Sequence, residues 1–514
     1  MKCRFFFAGL ALLAGAACSS PQEKAEQSVS AAMALAQAGD LEGARQAMLE
    51  AVRERDDRAD QWLLLGRLNL ETGRPADALL AYSRVLELDA TNVEALQIVA
   101  ELYFQFGNVR EAVDAADRLL ALDPSATRAI LVKGLVALNR KNVPEAISAA
   151  DTILKIKPQD EFGIVLKARA LAVQKDYLGA VKLIEEAVPT EQRTEASLAT
   201  LTELFRVLGD KEQLVGTLDT LLARRPKDTH LKLDLAEVLY KTGNPARARS
   251  TLYSLLGTQP DNVELIQEIS DMWSENDGAA LSPAQLKEIA ERGSHATRVG
   301  VARYLIDRNR PDLAAPILRP VPDASSVDAQ ALYATTLYKQ GNVAAARSIA
   351  DRILRDDKNN IDALMVRARI EMQERNLAAA LNDAQIVVRD FPMSEKGRQL
   401  LAEIYLEKKE PQLARQSYEN AISEMPQSMA LSRTYTQYLL KSGDQARAVG
   451  VARTFTRKSP SSVAGWDLLA NVCKQAGDNG CMAQAQAGHD KAASVYTVDD
   501  RPGAKRGRGL FGRL

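Results

Sequence analysis

Residues 62–82 read WLLLGRLNLETGRPADALLAY, two apolar-rich runs on either side of a polar Thr-Gly-Arg-Pro turn. The pattern returns 34 residues later as LQIVAELYFQFGNVREAVDAA at 96–116, and again as ILVKGLVALNRKNVPEAISAA at 130–150. Each unit therefore predicts two helices joined by a short Gly/Asn/Asp turn such as Phe106-Gly107-Asn108. Small residues keep the same phase. Gly66, Ala100, Gly134 and Ala168 fall 34 apart, as do Ala78, Ala112, Ala146 and Ala180, at points where a bulky side chain would push the helix pair apart. The unit ends at Ala90, Pro124, Pro158, Gln192, Pro226 and Pro260 on the same step. Proline stops the second helix there, and a following Asp, Ser, Asn or Thr can cap the next one.

Repeat starts fall at 25, 59, 93, 127, 161, 195 and 229. After Pro260 the register slips, with starts near 263, 295 and 327 only 32 apart; the text between them inserts a Gly-containing turn and Ser282-Pro283. The 34-residue step resumes through 327, 361, 395, 429 and 463, supported by Pro392, Pro426 and Pro460. The slipped stretch has two readings, sequence drift with a local change of pitch, or a hinge or docking site between two arms.

Trp62, Leu65, Gly66, Ala78 and Tyr82 match the signature of the tetratricopeptide repeat, and the chain resembles that family over nearly all of residues 25–494. The usual first-helix Tyr is Asn69 here and returns as Tyr103 one repeat later. The resemblance implies an all-α fold, a right-handed α-α superhelix of about 14 helical hairpins. It also implies a concave groove lined by fixed positions of the first helices. Those positions give Arg67, Phe104, Arg169, Glu237, Tyr240, Arg303, Tyr338, Arg369 and Glu403 as partner-binding residues. Aromatic and Arg side chains are typical anchors for a bound peptide or protein. Charge reversal at Arg169 or Arg303 is expected to weaken partner retention without unfolding the array. No repeat carries Lys at the fifth position, so the two-carboxylate clamp of chaperone-binding members is absent.

Composition agrees with helix and argues against several functions. Of 514 residues, 46% are hydrophobic and only 5% aromatic, and the charged residues nearly cancel to a net −1, which disfavours nucleic acid as a partner. The three histidines, His230, His295 and His489, have no ligand-like spacing, and no metal site or cofactor is expected. No zincin, nucleophile-elbow, Walker A or paired C-x-x-C motif occurs. Gly507–Gly512 is formally G-x-G-x-x-G, but it follows no strand and opens no helix, so no dinucleotide fold can be built around it. The expectation is a non-enzymatic scaffold.

The N-terminus supplies the compartment. Lys2 and Arg4 precede an apolar run from Phe5 to Ala17 that stops on Cys18-Ser19-Ser20. A run this short spans about 20 Å, less than the ~30 Å hydrocarbon core, and reads as an export signal. The cysteine after small residues makes it resemble a bacterial lipoprotein signal, with Gly15 where that pattern usually has Leu, Val or Ile. Cys18 is then the lipidated first residue; a secreted form cut nearby and a retained anchor are the alternatives. The domain reading is a signal over 1–17, a tether over 18–24, a repeat array over 25–262, an irregular segment over 263–326, a second array over 327–494, and a disordered basic tail over 495–514.

That tail carries Arg501, Lys505, Arg506, Arg508 and Arg513, read either as a solvated end or as a contact for anionic lipid headgroups or an acidic polymer. Cys473 and Cys481 flank the turn Gly477-Asp478-Asn479-Gly480 and either form a disulfide across the last hairpin or remain buried thiols. With export, the chain resembles repeat lipoproteins of the bacterial envelope, lipid-anchored at the outer membrane and facing the periplasm. Exopolysaccharide production or export is the first functional expectation. Secretion or pilus assembly, and adaptors of periplasmic peptidases or peptidoglycan enzymes, are the others.

Overall fold

A computed structural model describes residues 20–278, 281–318 and 326–494. Cys18 and the basic tail lie outside these residues. The described chain holds 28 α-helices and no strand, and most helices pair with the next in sequence as antiparallel hairpins. From Ala59 onward the first helix of each hairpin starts on the repeat register, at Val93, Thr127, Glu161, Glu195, Thr229, Val263, His295, Val327, Ile361, Glu395, Met429 and Val463.

The amino-terminal end departs from the sequence reading, which puts a tether over 18–24. Helix α1 (Pro21–Gln37) starts inside that span. Ser20 accepts from the Glu23 amide at 3.2 Å and donates its own amide to the Glu23 carboxylate at 2.8 Å, while Pro21 supplies a preset first turn. This capping box starts the helix four residues before the periodic pattern does.

The small-residue phase has a steric cause. Ala78, Ala112, Ala146 and Ala180 are all 0% exposed. A Cβ at Gly66 would stand 2.8 Å from the Tyr82 ring, and one at Gly134 would be 2.5 Å from the Leu166 side chain. The inter-helix turn is equally periodic. Gly39, Gly73, Gly107, Gly209, Gly243, Gly341, Gly443 and Gly477 end first helices at φ between 69° and 84°. At the corresponding points Lys141, Lys175, Asn309, Arg375 and Lys409 accept the left-handed conformation without being glycine. Among the described residues the slipped repeat shows no such turn: α15 (Val263–Asn276) ends on Asp277 at φ −147°. The next helix, α16 (Pro283–Arg292), has 10 residues against 13 or 14 for most helices, and α18 (Pro311–Leu318), described as far as Leu318, carries Pro316 inside it.

Neighbouring hairpins are also joined by a repeated ion pair. Asp117–Lys133 (2.7 Å) recurs one repeat later as Asp151–Lys167 (2.8 Å) and again as Asp351–Arg367 (3.7 Å). At two other junctions the same acidic position meets a cation on the next second helix, in Asp219–Arg247 and Glu419–Arg447. Half-exposed pairs of this kind contribute about 0–1 kcal/mol each and favour the register more than they add stability.

Chain contacts divide the protein into two compact units at Ser197. In the first, α7 (Thr127–Asn139) and α9 (Glu161–Val173) bury side chains all round. In the second, the carbonyl oxygen of Ser494, at the end of α28 (Asn479–Ser494), lies against Gly209, where an added Cβ would be 3.0 Å from it. Within this unit the turn at Gly209 and the end of α28 therefore come close. Cys473 and Cys481 are joined by a disulfide between α27 (Val463–Ala476) and α28, with Cα atoms 5.7 Å apart, and both are buried.

Candidate partner-binding face

The nine groove-register residues fall into three groups. Four arginines and one glutamate are held in ion pairs or buried. Arg67, on α3 (Ala59–Glu71), makes a bidentate contact with Glu94 on α5 (Val93–Gln105), its Nε at 2.7 Å from one oxygen, and remains half exposed. The next junction repeats the contact with charges reversed: Glu101 on α5 holds Arg128 on α7 at 2.8 and 2.9 Å. Arg128 then stacks over Phe162, 4.3 Å from the ring centroid. Arg369, on α21 (Ile361–Gln373), meets Glu403 on α23 (Glu395–Glu407) at 3.4 Å, so two groove-register residues neutralise each other.

Arg169 corrects the sequence reading. It is 1% exposed on α9 and is not a groove anchor. Burial pulls its pKa down to about 10, because the charged form loses its water. Its helix is apolar and covered on all sides, and periodicity alone does not show that cover. Arg303, on α17 (His295–Asp307), is likewise engaged within the chain. It forms a bidentate pair with Asp362 of α21 at 3.0 and 2.7 Å, passing over the intervening α19 (Val327–Lys339). Burial works against its charge, and the Asp362 carboxylate more than offsets that.

The second group is aromatic. Phe104 is half-buried and packs against the clusters of two successive hairpins. Tyr338 is half-buried against the core formed by residues 331–387. Tyr240 places its hydroxyl 3.5 Å from Asp277, and burial with that carboxylate pushes its pKa up. The last residue, Glu237, is mostly covered and pairs with Lys241 at 2.9 Å. Among the described residues no group of three or more His, Cys, Asp or Glu could hold a metal. No helix there is long and apolar enough to cross a membrane.

Sequence reasoning missed the partners Glu94, Asp362, Asp307 and Lys396. Lys396 donates to both carboxylate oxygens of Asp307 at 2.6 and 2.7 Å, from three hairpins away. Opposite charges on first helices were a visible signal, but only the winding decides which of them meet.

Models of the tetratricopeptide repeat match residues 29–93, 100–161 and 365–428, and a second pair of segments at 216–269 and 305–370. The chain belongs to the tetratricopeptide-repeat family. Comparison with curated proteins finds no match. Among solved structures it is similar to a MamA protein at 25% identity, covering 33% of this chain and 92% of that one with a TM-score of 0.30. It is similar to PilF of Pseudomonas aeruginosa at 18% identity, covering 41% and 96% with a TM-score of 0.31. A thermophilic tetratricopeptide-repeat protein of Thermus thermophilus matches at 22% identity, covering 35% and 99% with a TM-score of 0.33. These likenesses are local to a few hairpins. As a tetratricopeptide-repeat array the chain is a scaffold of the kind that binds proteins.

Proposed function

We propose that the chain is a non-enzymatic adaptor of the bacterial cell envelope, anchored by a lipid on Cys18 at the outer membrane and presenting its first-helix face to protein partners in the periplasm. The observation that carries the adaptor reading is the run of half-exposed, charge-paired side chains on successive first helices. Arg67–Glu94 and Glu101–Arg128 repeat at equivalent places, and Arg369–Glu403 joins the same first-helix position of two neighbouring repeats. Such pairs keep a long surface soluble and still offer oriented donors and acceptors to an incoming segment. Exopolysaccharide production or export is the process we assign first, on the resemblance of the exported, lipidated chain to repeat lipoproteins of that type.

Two measurements test this. Labelling cells with a fatty-acid analogue should mark the wild type and not Cys18→Ala; equal labelling would remove the anchor. Crosslinking in the native envelope, followed by purification, should recover polysaccharide-export components with the wild type and fewer with Arg67→Glu, whose side chain is half exposed. Recovery of pilus, secretion or peptidoglycan-enzyme components would reassign the process. Identical recovery by Arg67→Glu would move the partner away from this face.

A further inference from the structure

We propose that Arg303–Asp362 and Lys396–Asp307 are clasps that set the winding of residues 198–494, and that opening them uncoils this unit and parts Ser494 from Gly209.

The other inter-hairpin ion pairs described above join neighbours. These two do not. Arg303 on α17 reaches α21, two hairpins on, with both guanidinium nitrogens on Asp362, a side chain only 7% exposed. Lys396 on α23 reaches back to Asp307 on α17, 89 residues away. Both clasps start on the same helix, one turn apart, and both span first helices. First helices this far apart in an array meet only where the winding is tight, and α17 lies in the stretch where the repeat shortens to 32 residues. The short α16 is a second helix there, and the next second helix, α18, carries Pro316. A hairpin with a short outer helix occupies less of the outside of the coil, so its neighbours tilt inward and the first helices crowd together. The sequence slip and the clasps are then one feature.

The surroundings support this. Asp271 on α15 has its pKa raised by partial desolvation, with Glu395 and Asp307 pushing in the same direction and Gln267 and Lys396 opposing them. Lys339 on α19 is shifted down by burial and by the nearby Arg369 and Lys396. Side chains from α15, α17, α19, α21 and α23 therefore share one electrostatic neighbourhood. Opening it would return like charges to water, so the closed state depends on the two clasps holding. The device acts on the face assigned above to partners. That assignment matters only to its consequence, that a partner segment enters this part of the face when the clasps open.

The test uses the full chain with Glu212→Cys and Lys491→Cys labelled as an energy-transfer pair, close to the Gly209–Ser494 contact. Cys3 and Cys18 are changed to Ser, so that with Cys473 and Cys481 joined only the two added thiols react. Transfer should be high in this background, fall with Asp307→Asn, and fall further with Asp307→Asn/Asp362→Asn. It should stay high with Arg369→Gln, which breaks only a neighbour pair. The swap Arg303→Asp/Asp362→Arg should recover what Arg303→Asp loses. Raising salt from about 0.1 M to about 1 M shortens the screening length from ~10 to ~3 Å and should lower transfer in the parent chain more than in the double variant. Unchanged transfer in Asp307→Asn, with helicity intact by circular dichroism, would overturn the proposal. That pair is part-exposed, so the variant should fold even where the buried Asp362→Asn does not. No partner or lipid enters this measurement, so its failure leaves the adaptor reading intact.

Discussion

At the residue scale, a guanidinium 1% exposed and one half exposed respond to mutation in opposite ways. Arg67 can be reversed at the cost of one surface pair, worth about 0–1 kcal/mol. Arg169 cannot. Arg169→Glu would bury a carboxylate in place of an engaged guanidinium, and breaking a buried charged contact costs about 3–5 kcal/mol. The expected result is a clear drop in melting temperature, with Arg169→Met, which keeps the volume and buries no charge, falling between the two. A wild-type melting curve for Arg169→Glu would mean that the side chain reaches water. The alanine column from Ala78 to Ala180 was legible in the sequence because close helix contact demands it and repeats the demand every 34 residues. Arg169 was not legible. Its position names the helix face, while its burial depends on how α9 is covered, which no spacing records.

At the scale of elements, hairpin boundaries were readable wherever a cap or a turn repeats. They were misread where a local motif overrides the period. Ser20-Pro21 starts α1 early, and the absent left-handed turn at Asp277 lets α15 run on. The last hairpin shows how an element at the end of a repeat array is secured. A terminal repeat lacks the second stacking neighbour that interior repeats have, and nearest-neighbour stacking supplies most of a solenoid's stability. The Cys473–Cys481 bond closes a loop with a sequence separation of 8 between α27 and α28, worth about 2–3 kcal/mol in the chain-entropy account. Reduction should therefore speed amide exchange in α27 and α28 while leaving residues 93–156 of the first unit unchanged. Exchange that is unaffected in the last hairpin, or accelerated throughout, would show that stacking alone holds that end.

At the scale of the whole molecule, stability in such an array is local, and a single unfolding free energy is not a property of the chain. The three tryptophans sample it at separate places. Trp62 lies half-buried in the first unit, with its indole N–H donated to Asp56 O at 2.9 Å. Trp466, at the equivalent repeat position in the last hairpin, donates to Pro460 O at 2.7 Å. Trp273 is fully buried on α15, against Tyr304 at 5.5 Å between centroids, in the slipped repeat that holds the short α16. A short second helix such as α16 buries less surface against its neighbours, so coupling between hairpins is weakest there. Three variants that each keep one tryptophan and replace the others by Phe should give different fluorescence midpoints in guanidinium. Trp273 should move first, Trp62 later, and the loss of helicity should spread across all three. Variants whose overall helicity midpoint departs from the wild type are set aside, since replacing Trp273 removes core volume. Three coincident midpoints that also match the helicity curve would mean that the clasps on α17 couple the slipped repeat to its neighbours strongly enough to make the array cooperative.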